Sequence, residues 1–274
     1  MTRFVNNVKT TLFLGLMFGI ILWIGSRFGP GGLTFAFLIG GGVNVVAYFF
    51  SDRIALRSMR AQEVDENTAP DLVTMVSRLA RNANLPMPRV YICPQEAPNA
   101  FATGRNPRHA AVAVTHGALQ LLSYDELEGV MAHELAHVKN RDTLISCVAA
   151  TIAGVISYIG WISLWFGDRD NPLAGLVMFL VAPIAASLIQ MAISRSREFV
   201  ADADGATIAG SPDGLIGALR KLDATARGIP LHDGRLETQN HMFIVQPFSG
   251  RGMTRLFTTH PGTEQRIEKL MALR

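Results

Sequence analysis

Charge is distributed so unevenly along this chain that the distribution limits which folds are possible. Arg27 is the only charged residue between Thr10 and Phe50, and neither 143–166 nor 173–193 contains any. An α-helix needs about 20 predominantly apolar residues to cross a bilayer. The pattern therefore predicts four transmembrane helices. They are expected at 10–26, 33–50, 143–166 and 173–193.

The composition also indicates a membrane protein. Hydrophobic residues make up 49% of the chain and charged residues 17%, whereas soluble domains average about 25% charged residues. The net charge of +3 requires no nucleic-acid partner. A secretory signal peptide is the competing reading of the N-terminus, because Arg3 and Lys9 precede an apolar run. No A-x-A cleavage pattern follows, and a second apolar run begins soon after the first, so we predict a retained hairpin over 1–50.

Basic residues indicate which ends of the predicted helices face the cytosol. The polar ends carry Arg3, Lys9, Arg53, Arg57, Arg60, Lys139, Arg141, Arg195 and Arg197. The two short turns contain only Arg27 and Arg169 as basic residues. Cytoplasmic loops are enriched in Lys and Arg. Both termini and both polar regions, 51–142 and 194–274, are therefore predicted to be cytosolic, with a second membrane hairpin over 143–193.

The string H-E-x-x-H occurs at His133, Glu134 and His137. Ser123 with Glu126 three residues later makes a capping box, which predicts a helix that begins at the next residue. On a helix the two histidines lie one turn apart on the same face. Two imidazoles so placed can bind one zinc ion, and Glu134 beside them can act as a general base toward water. The alternative is a chance match on an ordinary helix, which five letters alone do not exclude.

A zinc ion held by two histidines needs a third protein ligand and an open position. Glu198 and Asp202 follow the fourth predicted span at a spacing of four, so both can face one side of a helix. If the helices run unbroken, His137 lies roughly 9 Å before the third span and Glu198 roughly 7–8 Å after the fourth. We predict Glu198 as the third ligand and Asp202 as an acceptor that orients a ligand imidazole. The alternative is a solvated helix start, where acidic residues are common.

Two short β-compatible runs, 99–104 and 110–114, precede the H-E-x-x-H helix. Turn-like residues separate them, so they are predicted to pair as a hairpin. The strand that contains Asn99, Ala100 and Phe101 could hold an extended peptide by main-chain hydrogen bonds. A hairpin that only packs against the helix fits the sequence equally well.

The chain resembles the HtpX-type membrane zinc metalloproteases, bacterial relatives of the CAAX prenyl proteases. The resemblance covers nearly the whole chain and includes the two N-terminal spans, 99–104, 133–137, 198–202 and Thr259-His260-Pro261. In that family the two histidines and the glutamate bind zinc. The resemblance alone implies that His260 helps to polarise the scissile carbonyl; without it, His260 would be read as a cap before a terminal helix. The segment 232–252 matches no motif.

The predicted fold is mainly α, a polytopic membrane protein with four transmembrane helices and a cytosolic α+β zincin-like catalytic domain. The catalytic domain combines 51–142, which contains the H-E-x-x-H helix, with 194–274, which contains the third ligand. The resemblance implies an endopeptidase of the bacterial inner membrane that binds one zinc ion per chain. Its expected partners are misfolded or damaged membrane proteins, unfolded polypeptides and the bilayer, with no nucleic acid. The sequence leaves the oligomeric state open.

Three alternatives stay open at this stage. A four-span transporter or scaffold could hold zinc without hydrolysis, although such proteins more often carry ionisable residues inside the spans. An intramembrane protease would bury the motif in hydrocarbon, whereas Asp125, Glu126, Lys139 and Arg141 surround it here. A protease for prenylated proteins fits the sequence as well, and a digest of prenylated and unprenylated peptides separates it from the others.

Overall fold

The computed structural model describes residues 52–142, 197–226 and 262–274, with a few isolated positions before residue 51. The four predicted transmembrane helices lie almost entirely outside these residues, and so do His260 and 232–252. Within the described ranges, no helix is both long and apolar enough to span a membrane.

The chain divides into two compact units. One unit comprises Met1–Ser51 and Leu144–Ile193, and the other comprises Asp52–Thr143 and Ser194–Arg274. All of the strands and helices named below belong to the second unit, which also contains the predicted zinc ligands.

Four short strands form one mixed sheet. They are β1 (Gln62–Val64), β2 (Arg89–Cys93), β3 (Ala100–Thr103) and β4 (Ala111–Thr115). The order is β1-β2-β4-β3, with β2 and β4 parallel and the other two pairs antiparallel. The predicted hairpin is therefore present as β3 and β4, and β3 is one of the two edge strands of the described sheet.

The helices of the described residues surround this sheet. They are α1 (Pro70–Asn82), α2 (His116–Leu121), α3 (Tyr124–Asn140), α4 (197–209), α5 (Asp213–Ala226) and α6 (Thr263–Met271). A helical segment at 52–58 precedes β1, and a short 3-10 turn, Pro107–His109, lies between β3 and β4. The described part of the chain is thus mainly helical with a small sheet, as predicted.

The helix with the H-E-x-x-H motif begins at the predicted capping box. Ser123 Oγ accepts a hydrogen bond from the Glu126 backbone N–H at 3.4 Å, and a Glu126 carboxylate oxygen accepts one from the Ser123 N–H at 2.8 Å. The helix ends at Arg141, whose φ of 61° is left-handed. The height estimate for His137 assumed an unbroken helix up to residue 143. That assumption is wrong, because a left-handed residue terminates the α-helical hydrogen bonding.

The sheet separates two clusters of buried side chains. The larger cluster lies between the sheet and the helices, and its fully buried members include Val76 and Leu79 of α1, Met131 and Leu135 of α3, and Leu219 of α5. The smaller cluster consists of Leu56, Met59, Tyr91, Cys93, Phe101, Ala111 and Ala113. Since α3 packs against the sheet, α1 and α5, its side chains are held by a close-packed interior.

Glycine allows two neighbouring helices to approach α3 closely. A Cβ added to Gly205 of α4 would lie 2.9 Å from the Cα of His133. A Cβ added to Gly129 of α3 would collide with the backbone nitrogen of Leu215 in α5. The small residue at 205 therefore brings the helix that carries Glu198 against the helix that carries the histidines.

Candidate metal centre

The two motif histidines of α3 are turned toward the same point. Their ring centroids are 4.7 Å apart and the ring planes are nearly perpendicular, at 86°. The Nε2 atoms of His133 and His137 lie 3.2 Å apart. The His133 side chain is 2% exposed and that of His137 is 14% exposed, so His137 is the one nearer to solvent.

Glu198 of α4 completes a group of three potential ligands. Its carboxylate oxygens lie 3.5 Å from His133 Nε2 and 3.6 Å from His137 Nε2. Two ligands of a tetrahedral ion with bonds of about 2.0–2.1 Å are roughly 3.3–3.4 Å apart. The three observed separations therefore fit one metal ion held by His133, His137 and Glu198. The structure thus brings together the three residues that the sequence proposed as ligands.

The other nitrogen of each ring faces a carboxylate. His133 Nδ1 lies 3.0 Å from Asp202 Oδ1, and His137 Nδ1 lies 3.1 Å from Asp142 Oδ2. A carboxylate accepts a hydrogen bond from Nδ1–H, which leaves the Nε2 lone pair available to a metal. Two such lone pairs beside the Glu198 carboxylate repel one another unless a proton or a metal cation lies between them. Asp202 occupies the position predicted for it, whereas Asp142 was not predicted.

Two buried arginines hold these aspartates. Arg266 of α6 is 1% exposed, and it donates to both carboxylate oxygens of Asp202, from Nη2 at 2.7 Å and from Nε at 2.9 Å. Its Nη1 also lies 3.7 Å from Glu198 Oε2. Arg197 Nη1 donates to the backbone carbonyl of Asp142 at 3.2 Å. Since Arg266 occupies both oxygens of Asp202, this carboxylate serves as a hydrogen-bond acceptor rather than as a fourth ligand.

The buried ionisable side chains around the centre carry a net negative charge that a cation would balance. Among the residues that the structure describes, six ionisable side chains besides the histidines are buried there: Glu134, Asp142, Arg197, Glu198, Asp202 and Arg266. When all six are ionised, the four carboxylates exceed the two guanidiniums by two negative charges. Buried charges are costly unless they are paired. A divalent metal ion would neutralise this excess, and the donor set therefore fits such an ion.

The protonation of His133 reflects the same excess of negative charge. Burial by itself lowers the pKa of His133, but hydrogen bonds to Asp202 and Glu198 outweigh burial and raise the pKa to about 9. Burial by itself raises the pKa of Asp202, but the Arg266 guanidinium and the His133 ring hold it at about 2. A metal ion competes with the proton on His133, because it binds the neutral imidazole and releases that proton.

Glu134 lies buried next to β3. Burial is the largest influence and raises its pKa, while the charges of His133 and His137 oppose that increase. The backbone N–H of Ala102 in β3 donates a hydrogen bond to the Glu134 carboxylate. A carboxyl group whose pKa is raised toward neutrality is suited to general-base catalysis. The structure therefore places the predicted base near the ligand histidines and next to the edge strand β3.

The predicted substrate strand offers main-chain groups rather than side chains. The Asn99 N–H donates to Thr115 Oγ1 at 2.8 Å, and its carbonyl accepts from the Thr115 N–H at 2.9 Å. Ala100 belongs to the larger core cluster and Phe101 to the smaller one. The side chains of these residues face the protein interior, so a peptide bound along β3 would meet its backbone.

Comparison with known proteins assigns the chain to a family. The sequence profile of peptidase family M48 matches residues 66–274. The chain belongs to this family. The M48 peptidase is 51% identical to the Protease HtpX homolog of Burkholderia multivorans, over 98% of this chain and 97% of that protein. It is 52% identical to the Protease HtpX homolog of Burkholderia mallei, over 97% of this chain and 96% of that protein. The family predicted from the motifs is confirmed, and the M48 peptidase is an enzyme.

A solved structure shares the fold of the M48 peptidase. The crystal structure of S. mikatae Ste24p matches with a TM-score of 0.56 at 17% sequence identity. The match covers 98% of this chain and 66% of that chain. At this level of identity the similarity concerns the fold alone.

Sequence patterns did not indicate Asp142, Arg197 or Arg266 as members of the centre. One signal existed for Asp142, because a carboxylate just beyond a helix C-terminus is electrostatically unfavourable and suggests a specific partner. Arg197 was read only as a mark of membrane orientation. Arg266 contacts Asp202 across 64 positions of sequence, and helical periodicity within α6 contains no trace of such a contact.

Proposed function

We propose that this M48 peptidase is a zinc-dependent endopeptidase of the bacterial inner membrane that cleaves misfolded or damaged membrane proteins on the cytosolic side. The observation that carries the proposal is the approach of His133 Nε2, His137 Nε2 and the Glu198 carboxylate to within 3.2–3.6 Å of one another. Nitrogen and oxygen donors in a tetrahedral arrangement suit zinc, and three protein ligands leave one position for water or substrate.

The residues around the centre suit the hydrolysis of a peptide bond. Zinc bound there would supply Lewis-acid chemistry toward a carbonyl group and would lower the pKa of water. Asp202 and Asp142 hold the imidazoles of His133 and His137 in the form that presents Nε2. Glu134 takes a proton from the attacking water and then delivers it to the leaving amine. A raised pKa makes the Glu134 carboxylate a stronger base in the first of these steps.

The outer strand β3 is the part of the sheet that would align a substrate. A polypeptide can add to a strand edge by main-chain hydrogen bonds, which are largely independent of its side chains. The Ala102 N–H of that strand donates a hydrogen bond to the Glu134 carboxylate, which places the base next to the strand. Recognition through the backbone suits a protease that acts on many unfolded substrates. His260 is assigned the role of polarising the scissile carbonyl, on the basis of the family resemblance.

Membrane placement rests on the distribution of charge along the chain. The uncharged segments would form one hairpin within 1–50 and another within 143–193, with 51–142 and 194–274 in the cytosol. The 51% identity to the Protease HtpX homolog of Burkholderia multivorans covers 98% of the chain, apolar segments included. The same identity favours general proteolysis over a role restricted to prenylated proteins.

Cleavage by the purified protein tests the proposal. The full chain in detergent is incubated with an unfolded membrane protein, with a chelator, and with zinc restored after the chelator. We expect cleavage that stops with the chelator and returns when about one zinc ion per chain is bound. The Glu134→Gln protein, purified in parallel, shows whether a contaminating protease contributes. A zinc-loaded parent that cleaves nothing, or that cleaves only prenylated peptides, would contradict the proposal.

A further inference from the structure

Asp142 and Arg197 form a buried pair that connects the end of α3 with α4. Asp142 lies two residues beyond the end of α3, and Arg197 directly precedes Glu198 in α4. Arg197 Nη1 donates to the backbone carbonyl of Asp142 at 3.2 Å and lies 3.9 Å from its Oδ1. The other carboxylate oxygen, Oδ2, lies 3.1 Å from His137 Nδ1. The pair thus contacts one ligand histidine directly and adjoins the ligand Glu198 in sequence.

The two ligand histidines are supported in parallel ways that differ in one respect. His133 faces Asp202, and Arg266 holds that aspartate by both carboxylate oxygens. His137 faces Asp142, and Arg197 donates to the main-chain carbonyl of Asp142 at 3.2 Å, whereas Oδ1 of its carboxylate lies 3.9 Å away. Arg197 therefore fixes the position of the chain at residue 142 while Oδ2 of the carboxylate faces the ring.

Burial and helix geometry explain why Asp142 requires an arginine. Asp142 lies just beyond the C-terminus of α3, where the helix dipole disfavours a negative charge. Its side chain is 4% exposed and that of Arg197 is 10% exposed, so water compensates neither charge. Removing one member of a buried ion pair leaves the other uncompensated and is strongly destabilising.

We propose that Asp142 and Arg197 are positioning residues of the metal centre, an inference that rests on the proposed metallopeptidase function. Asp142 holds the His137 ring with Nε2 toward the metal position. Arg197 holds Asp142 and, because it directly precedes Glu198, secures this part of α4 against the end of α3. The pair therefore sets the spacing between two of the three ligands.

Metal affinity of the full-length protein in detergent tests the pair directly. Metal-free protein is titrated with Co²⁺, whose visible absorption reports the number and geometry of the ligands, and Zn²⁺ affinity is measured by competition with a chelator. The variants are Asp142→Ala, Asp142→Asn and Arg197→Gln. Matched controls are Asp125→Asn and Arg220→Gln, which alter exposed residues of the same types on α3 and α5.

We expect Asp142→Ala to weaken metal binding by about 10–100-fold and to change the Co²⁺ absorption, since the loss of an outer partner of a ligand histidine has this effect. Asp142→Asn keeps an oxygen that can accept from Nδ1–H, so it should recover much of the affinity. Arg197→Gln should weaken binding and the controls should match the parent. If Asp142→Ala and Arg197→Gln both bind Co²⁺ and Zn²⁺ as tightly as the parent with unchanged absorption, the inference is wrong.

A charge swap distinguishes positioning from a simple ion pair. The double variant Asp142→Arg with Arg197→Asp keeps opposite charges at the two sites but places no carboxylate at position 142. We expect its metal affinity to stay low, even if the melting temperature of the metal-free protein recovers. Recovery of both the metal affinity and the melting temperature would show that the pair only connects α3 with α4, and it would overturn the positioning role. If Asp142→Ala does not fold, the charge swap decides, because metal affinity and Co²⁺ absorption equal to those of the parent would contradict the inference.

The same measurements separate this inference from the proposed function. A parent that binds zinc but cleaves no substrate contradicts the function, while the affinities of the variants still test the pair. A parent that binds zinc and cleaves, with Asp142→Ala and Arg197→Gln variants of equal metal affinity, contradicts only the positioning role of the pair. A parent that binds no metal overturns both.

Discussion

At the scale of single residues, a substitution of Glu134 should separate catalysis from metal binding. It is buried beside the ligand histidines and bonded to β3, but it is not one of the three metal-facing groups. Glu134→Gln should therefore keep stoichiometric zinc and lose cleavage by about 10²–10⁴-fold, the usual contribution of a general base. Zinc content and cleavage rate are measured on the same preparation. A variant with the parent's rate would rule out the role of Glu134 as the base.

The ligands and their supporting residues should differ in their effect on metal content. Glu198→Ala leaves two imidazoles and should reduce zinc binding most. Asp202→Ala keeps all three ligands and loosens the His133 ring, so a loss of about 10–100-fold is expected. Glu134→Gln should have the least effect. Bound zinc is measured for the three purified variants after dialysis against a chelator, and stoichiometric zinc in Glu198→Ala would exclude Glu198 as a ligand.

The site residues that the sequence predicted share a spacing within one helix, whereas a residue that it missed contacts the site from another helix. His133 and His137 share a helical face, and Glu198 and Asp202 share another, so spacing within one helix was sufficient to nominate them. Arg266 is fully buried in the same centre, yet its partner Asp202 lies on a different helix. No local pattern reports a contact between helices, and a lone arginine in an amphipathic helix is most simply read as exposed.

At the scale of elements, the distance between α3 and α4 depends on Gly205. An added Cβ would lie 2.9 Å from the Cα of His133, and relief requires that the two helix backbones move apart. Gly205→Ala should lower stability by about 1–3 kcal/mol, as overpacking does, and should weaken zinc binding because Glu198 moves with α4. Gly262→Ala is the control, since a Cβ there meets nothing within 4 Å. Melting temperature and zinc affinity are measured for both, and equal affinities would show that α4 does not depend on Gly205 for its position.

The ion pair between Glu126 of α3 and Lys221 of α5 should weaken at low pH. Burial by itself raises the pKa of Glu126, but the Lys221 ammonium at 2.6 Å and the Ser123 backbone N–H outweigh burial and lower it. A carboxyl whose pKa is lower in the folded than in the unfolded protein stabilises the fold above its unfolded pKa of about 4.3. That contribution is lost as pH falls through the folded pKa. Glu126→Gln should therefore melt at a lower temperature than the parent at pH 7, and the difference should shrink below about pH 4. A difference that does not depend on pH would contradict this assignment.

Elements were predicted well where their signals are local. The capping box at Ser123 and Glu126 fixed the start of α3, and alternation with turn residues indicated β3 and β4. The end of α3 was missed, because Arg141 adopts a left-handed conformation that is uncommon for residues other than glycine. The strand order was not predicted. The parallel pairing of β2 with β4 joins strands that are not consecutive in the chain, and no local sequence pattern indicates such a pairing.

At the scale of the whole molecule, the two halves of the metal centre come from chain segments on either side of 143–196. His133 and His137 precede that segment and Glu198 follows it, yet all three belong to one compact unit. The uncharged character of 143–166 and 173–193 predicts a membrane hairpin there. Under this prediction, the hairpin is an insertion within the catalytic unit, and both of its ends must leave the bilayer on the side where the centre lies.

Cysteine labelling in intact cells tests that arrangement. Native Cys147 is replaced by alanine, while Cys93 is buried and burial raises the pKa of its thiol to about 12, so it should not react with a maleimide. Single cysteines are then introduced by Arg57→Cys, Asp170→Cys and Arg255→Cys. Because basic residues cluster on the cytosolic side, a membrane-impermeant maleimide should label position 170 and leave 57 and 255 unlabelled. Permeabilised cells provide the control, since all three positions should then react. Labelling of position 57 from outside would place the metal centre on the opposite side of the membrane and would exclude cleavage at cytosolic sites.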